Sequence, residues 1–268
     1  MTWFELTQDA GVTRLHLNRP EAFNTISMQR LYTLREQVRR LVREARTRAL
    51  VITSSGRHFC AGMDLAEFGS QEDTLDVGSA RRRLRFQAFL ADLLESLEAL
   101  ERAPFPVVAA VQGGCVGGGL DIIAACDVRY CSAEAFFCIQ EINIGMAADL
   151  GVLQRLPKLI PQGVVRELAY SGRRMNAQRA LAVGLVNEVL PDPQAAIDAA
   201  LALAREIAGK SPLAIAVTKR ELNYARDHTL AESLEQMVML QSASMDQAET
   251  MTAIAAQEDK RPAEFPDL

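Results

Sequence analysis

The sequence predicts an α/β fold with layered packing and a helical C-terminal region. Three observations carry that prediction. Short continuous apolar runs, ALVIT at 49–53 and VVAAV at 107–111, have the length and composition of buried strands. Glycine-containing turns follow both runs, and helical periodicity resumes after them. From about residue 193 onward the pattern is helical throughout.

The elements follow in order. VTRLHLN (12–18) alternates apolar and polar residues and reads as a strand, and NRPEAFNT then turns the chain. Over 27–47, Met28, Leu31, Leu34, Val38, Leu41, Val42 and Ala45 recur at helical spacing, with Arg and Glu on the opposite face. The polar stretch GSQEDTLDVGSA (69–80) reads as a mobile loop. A helix over roughly 81–101 opens with Arg81, Arg82, Arg83 and Arg85, a run read as a solvated helix start or as an attraction for an anion. Pro104 and Pro106 close that connection. GGLDIIAACD (118–127) is helical in character, and VRYCS and FFCI continue the strand–turn–helix rhythm. LPDP near 190–193 marks a boundary between an α/β core, residues 1–192, and a helical region, residues 193–268.

Composition excludes several function classes. The chain has 268 residues, 49% hydrophobic and 24% charged, which is ordinary globular composition with enough length for a sizeable core. A net charge of −5 gives no basic surface for nucleic acid. No apolar run reaches membrane-spanning length. The segment MTWFELTQDAG lacks the pattern of an export signal, and the last residues PDL differ from the peroxisomal SKL; a cytoplasmic location is therefore expected. Five Cys without a C-x-x-C pair are expected to be reduced and packed, and three His without ligand spacing give no metal site.

Two glycine turns and three carboxylates carry the chemistry. HFCAGMDL (58–65) and QGGCVGGGLD (112–121) both follow strand-like runs, and the second leads into a helix. The first N–H groups of a helix have no internal partner, so a glycine-rich start can offer donors to an anion or a developing oxyanion. Neither G-x-G-x-x-G nor GK[ST] is present, which removes the dinucleotide and P-loop readings. In INIGMAADLGVLQ (142–154) the only ionisable residue is Asp149, and Glu141 stands just before the stretch. Such an Asp is expected to be buried, with a raised pKa or a hydrogen-bond partner. Each carboxylate also has a structural reading. Asp149 fits the N-cap of a helix beginning at Leu150, Asp121 fits a carboxylate near a helix N-terminus, and Glu141 fits a strand end. Asp127, Tyr130 and His58 are read as structural, and Cys115 and Cys138 as packing residues.

HFCAGMDL together with AAVQGGCVGGGLDIIAACD closely resembles the two oxyanion-hole segments of the crotonase (enoyl-CoA hydratase/isomerase) superfamily. LNRPEAFNT, LQRLPKLIP and ALAVGLVNEV look like further segments of that family, in the right order, so the resemblance covers about residues 12–260. It implies a crotonase-like spiral of repeated ββα units, with a C-terminal helical region that builds a homotrimer or a hexamer of paired trimers. It also implies an acyl-CoA thioester substrate and no separate cofactor. The N–H groups of Met63 and Gly118 would bind the thioester oxygen, and Ala61, Gly62, Asp64 and Leu65 would lie along the CoA. One such donor in an oxyanion hole contributes about 3–4 kcal/mol to the transition state.

The carboxylates distinguish branches of the family. A hydratase typically holds water between two Glu; the matching residues here are Asp121 and Glu141, so one is a methylene shorter. The triple Asp121, Glu141 and Asp149, with GCVGGGLDIIAACDVRYC, EINIGMAADLGVLQRLPK and YARDHTLAESL, resembles the Δ3,5-Δ2,4-dienoyl-CoA isomerase branch. The resemblance implies that Glu141 removes a C2 proton, that a delocalised dienolate forms, and that Asp149 protonates C6, with Asp121 supporting Glu141. Alternatives are an enoyl-CoA hydratase acting on a 2-enoyl-CoA, a non-catalytic acyl-CoA-binding protein and, least supported by the charge, an RNA-binding protein.

Overall fold

The computed structural model describes residues 3–66 and 77–268. Six strands form the main sheet: β1 (Phe4–Asp9), β2 (Val12–Leu17), β3 (Ala49–Ser54), β4 (Val107–Val111), β6 (Val128–Ser132) and β9 (Glu188–Leu190). They lie side by side in that order, all parallel except β1. Between β4 and β6 the chain detours into β5 (Gly114–Val116). That strand starts a smaller sheet with β7 (Phe136–Cys138) and β8 (Met175–Asn176).

The continuous apolar runs are explained by burial on both faces of the sheet. Leu50 and Ile52 of β3, with Val107, Ala109 and Val111 of β4, point into the larger core. Their alternates Ala49, Val51, Val108 and Ala110 point to the other face. On the first side α1 (Met28–Glu44) packs against α2 (Ala80–Arg102). Helix α1 buries the predicted stripe of Met28, Leu31, Leu34, Val38 and Leu41 and is capped by Ser27, whose Oγ accepts the Arg30 N–H at 3.3 Å. It ends at Ala45 in the left-handed conformation. The Arg81–Arg85 run is exposed, as a solvated helix start requires. Of the loop expected over 69–80, residues 69–76 lie outside the described residues; Ser79 is the N-cap of α2.

Next come α3 (Gly118–Ala124), α4 (Val152–Leu159), α5 (Gln162–Ser171), α6 (Ala177–Ala182) and α7 (Pro193–Ala208). The helix that opens the C-terminal third is part of the sheet's cover: Ile197, Ala200, Ala204 and Ala208 of α7 close the second face over β3 and β4. Beyond it run α8 (Pro212–Asp227), α9 (Leu230–Ser244) and α10 (Gln247–Glu258). Helix α8 is tied to the core by Lys219. Its buried ammonium donates to Leu100 O (2.9 Å), Phe105 O (3.0 Å) and Asp127 Oδ2 (2.7 Å). Asp127 also accepts the Val107 N–H at 2.7 Å, so its structural reading holds. All five cysteines are free and buried. Among the described residues, no helix is long and apolar enough to cross a membrane.

Four short or edge strands, β1, β5, β8 and β9, escaped the sequence reading. β1 is an edge strand whose last three residues, Thr7–Asp9, are exposed, so it carries no buried alternation over most of its length. It is held by a hairpin turn at Ala10 and Gly11, both with positive φ, the conformation that matches the twist of the two strands.

Candidate active site

The site is assembled where the two sheets meet. The chain from Cys60 runs beside β5: the Cys60 N–H donates to Gly114 O (3.1 Å) and the Val116 N–H to Cys60 O (3.0 Å). This brings the two glycine turns, far apart in sequence, side by side. Gly119 permits the contact, because a Cβ there would stand 2.8 Å from Cys60 Cβ.

Hydrogen bonding then selects which backbone donors are free. In the first turn the Ala61 N–H donates to Phe23 O (3.0 Å), the Gly62 N–H to Cys60 Sγ (3.4 Å) and the Asp64 N–H to Ile26 O (2.8 Å). Among the described residues the Met63 N–H has no acceptor. In the second turn the Gly117 N–H donates to Cys138 O (2.9 Å), while those of Leu120 and Asp121 return to Gly117 O (2.7 and 3.1 Å). The Gly118 N–H, at the first position of α3, is likewise without an acceptor among the described residues. Gly117 orients it with φ 51° and ψ −123°, a conformation an L-residue rarely adopts.

Met63 and Gly118 line one cavity of about 390 Å³, together with Ala61, Gly62 and Leu65 of the first turn. Glu141 and Asp149 line the same cavity, and Ile144, Met146 and Leu150 give it apolar walls. Glu141 Oε2 is buried without a hydrogen-bond partner among the described residues. Burial raises the Glu141 carboxyl above the usual carboxylate range, and the neighbouring Asp149 pushes it the same way.

Asp149 corrects the expectation of a buried carboxylate. Its neighbours Ala148 and Leu150 are buried, whereas Asp149 is exposed and faces the cavity. Crowding by the wall still raises its pKa through desolvation. It does not cap a helix either: α4 begins at Val152, and its N-cap is Gly151.

The capping bond comes from Asp121, 31 residues away. Asp121 is 1% exposed and stands behind the cavity wall rather than in it. Its Oδ1 accepts the Val152 N–H at 2.7 Å, and its Oδ2 has no partner among the described residues. Burial, with the nearby Glu141, raises its carboxyl well above the usual range. Asp64 also turns away from the cavity, with Oδ2 3.5 Å from Thr25 Oγ1 and 3.7 Å from Arg30 Nη1.

His58 and Arg174 are among the wall residues that had no assigned place in the sequence reading of the site. His58 lines the cavity, and its Nδ1 accepts the Gly114 N–H at 2.9 Å, so the neutral ring carries its proton on Nε2. Arg174 lies over the Phe136 ring, 4.3 Å from its centroid. No sequence signal marks Arg174, because it precedes a strand only two residues long.

The chain can be compared with known proteins on this basis. Residues 7–267 match the enoyl-CoA hydratase/isomerase family. A Homo sapiens protein named as a mitochondrial Δ3,5-Δ2,4-dienoyl-CoA isomerase is 44% identical over 87% of this chain and 74% of its own. An Arabidopsis thaliana protein named as the peroxisomal isomerase is 33% identical over 97% and 94%. The crystal structure of an enoyl-CoA hydratase from Bacillus anthracis superposes with a TM-score of 0.87 at 28% identity, covering 98% of each chain. These relatives overturn the expectation of a cytoplasmic protein, since they are named for mitochondria and peroxisomes. The absence of a recognisable signal was too weak a ground for it. The spiral α/β fold expected from the motifs is the one found, and the chain belongs to the enoyl-CoA hydratase/isomerase family.

Proposed function

We propose that this enzyme is a Δ3,5-Δ2,4-dienoyl-CoA isomerase working by two-carboxylate proton transfer. The observation that carries the reading is the arrangement of Glu141 and Asp149 in one apolar-walled cavity with the N–H groups of Met63 and Gly118, which have no acceptor among the described residues. The names of its relatives agree with it.

A 3,5-dienoyl thioester binds with its carbonyl oxygen on the two N–H groups. Ala61, Gly62, Met63 and Leu65 run along the CoA; Asp64 contributes only backbone there, its side chain being turned toward Thr25 and Arg30. Glu141, ionised, takes a proton from C2. The electron pair delocalises through C1 onto the thioester oxygen, where the two donors stabilise it, and through the diene onto C4 and C6. Asp149, protonated, delivers its proton to C6. The product is the 2,4-dienoyl thioester, conjugated with the carbonyl, and the carboxylates exchange protons with solvent to reset. Raised pKa values suit both tasks, bringing each carboxyl nearer to neutral pH. The reaction is a redox-neutral proton shift, so these groups suffice for it. Asp121 supports the site from behind by holding the start of α4.

The hydratase alternative is disfavoured by the same geometry. The two positions that would hold a hydratase's water are Asp121 and Glu141, and of these Asp121 stands behind the cavity wall with its Oδ1 on the Val152 N–H. We also infer that the region 193–268 builds a homotrimer or a pair of trimers. Its support is the row of exposed apolar side chains on α8 and α9, among them Leu222, Leu230, Leu234, Val238 and Met239. Sedimentation of the purified protein tests this, and a monomer at micromolar concentration rules it out.

The functional test offers a 3,5-dienoyl-CoA and a 2-enoyl-CoA in separate cuvettes. Growth of conjugated dienoyl-thioester absorbance in the first, with little change in the second, is expected. Loss of enoyl absorbance in the second with a silent first cuvette would establish a hydratase instead.

A further inference from the structure

Asp149 sits on a turn, Ala148–Gly151, that has no regular secondary structure to hold it. A proton donor needs better placement than a loop provides, because a misplacement of about 1 Å can cost on the order of a hundredfold in rate. The turn is held from two sides. Asp121 takes the Val152 N–H just past it. From the other side comes Arg155, on the first turn of α4. Its Nη1 donates to Leu150 O at 3.0 Å, and its guanidinium lies against Gly151. The other two nitrogens of the fork meet Glu101 of α2: Nε donates at 3.0 Å and Nη2 at 2.7 Å, both to Oε2. Glu101 is itself fixed, its Oε1 accepting Arg226 Nη1 at 2.9 Å and its backbone oxygen accepting Asn223 Nδ2 at 2.9 Å, both from α8. The pair is largely shielded, with side chains 11% and 15% exposed.

We propose that Arg155 is a positioning residue: braced by Glu101, it clamps the Leu150 carbonyl and so fixes the turn that aims Asp149 into the cavity. Only a planar fork with donors on both edges reaches the turn and the brace together; a lysine ammonium reaches one or the other. The brace links the acid to α2 and α8, so the proton-donor turn is referenced to two long helices rather than to its own loop. Arg155 touches no reacting atom. Its loss displaces the acid and leaves the base and the oxyanion donors where they are.

This inference rests on the two-carboxylate reading, and the experiment separates the two. Arg155→Lys and Glu101→Gln are compared with wild type and Asp149→Asn, with circular dichroism to establish folding. Turnover of a 3,5-dienoyl-CoA is measured beside exchange of the substrate's C2 protons with D2O, which needs Glu141 and the oxyanion donors but not Asp149. Arg155→Lys is expected to lose about tenfold or more in kcat with KM changed less than about twofold, while C2 exchange persists. Glu101→Gln is expected to follow in the same direction by about threefold, and carries the test if the lysine variant does not fold. A lowered melting temperature with kcat within about twofold of wild type makes Arg155 merely structural and overturns the proposal. Loss of C2 exchange in parallel with turnover also overturns it, since the whole site has then moved. If Asp149→Asn is itself fully active, the underlying reading fails; if Asp149→Asn is inactive and the brace variants turn over normally, only this inference fails.

Discussion

Replacing Gly117 by alanine perturbs the two halves of the proposed chemistry at one point. The residue has φ 51° and ψ −123°, a region essentially reserved for glycine, and strain of this kind costs about 1–3 kcal/mol. The added methyl would also lie 2.8 Å from Glu141 Oε1, and must separate by about 0.6 Å to reach ordinary contact. Two relaxations are open. The Glu141 carboxyl retreats from C2, or the peptide rotates and the Gly118 N–H leaves the oxyanion position. Scaling from about a hundredfold per ångström, the first lowers kcat by roughly tenfold. Loss of the donor in the second costs about 3 kcal/mol, over a hundredfold. A fall between about tenfold and about 150-fold is therefore expected. Turnover of a 3,5-dienoyl-CoA by stopped-flow absorbance, normalised to folded protein by circular dichroism, reads it directly. A folded Gly117→Ala enzyme with kcat within twofold of wild type would refute the placement of both groups.

Other expectations follow from the same geometry. Asp149→Asn should abolish isomerisation while leaving the affinity for a saturated acyl-CoA nearly intact, as titration calorimetry would record; retained turnover sinks the acid role. Asp121→Asn keeps an acceptor for the Val152 N–H but cannot ionise. Because the folded pKa of Asp121 is raised, the wild type loses stability as pH rises above the unfolded value of 3.8, so the melting temperature of the variant relative to wild type should climb between pH 4 and pH 8. A pH-independent difference contradicts that assignment. The kcat profile should be bell-shaped with both limbs displaced upward from ordinary carboxylates, rising as Glu141 ionises and falling as Asp149 does; the two apparent pKa values belong to the pair. Lys219→Ala should cost about 1–3 kcal/mol in a urea melt, chiefly by leaving the Leu100 and Phe105 carbonyl oxygens without their donor, and no measurable loss would contradict the anchoring role.

Sequence reading succeeded where the pattern was local. The stripe of α1 and the runs of β3 and β4 are decided by near neighbours and by burial on one or both faces. Asp149 shows the limit. Apolar neighbours suggested burial, but they are apolar because they form a cavity wall, and the carboxylate between them faces the space rather than the core. The capping role suggested for it belongs to Asp121, and a bond between residues 121 and 152 leaves no trace in either local pattern. The brace of Arg155 by Glu101 is similarly invisible, since it joins positions 54 residues apart whose types suit any exposed ion pair. The glycine turns were legible as a pair. Which N–H groups remain free depends on the Phe23, Ile26 and Cys138 oxygens, which only the folded chain brings into place.

The central claim is that one carboxylate empties C2 and another fills C6. Its most direct test is the reaction of a 3,5-dienoyl-CoA in D2O, with NMR locating the deuterium in the product. The account predicts deuterium at C6 of the 2,4-dienoyl product from the wild type. For Asp149→Asn it predicts exchange at C2 of recovered substrate with none at C6. Deuterium at C4 in place of C6, or an equal yield of C6 label from Asp149→Asn, would contradict it.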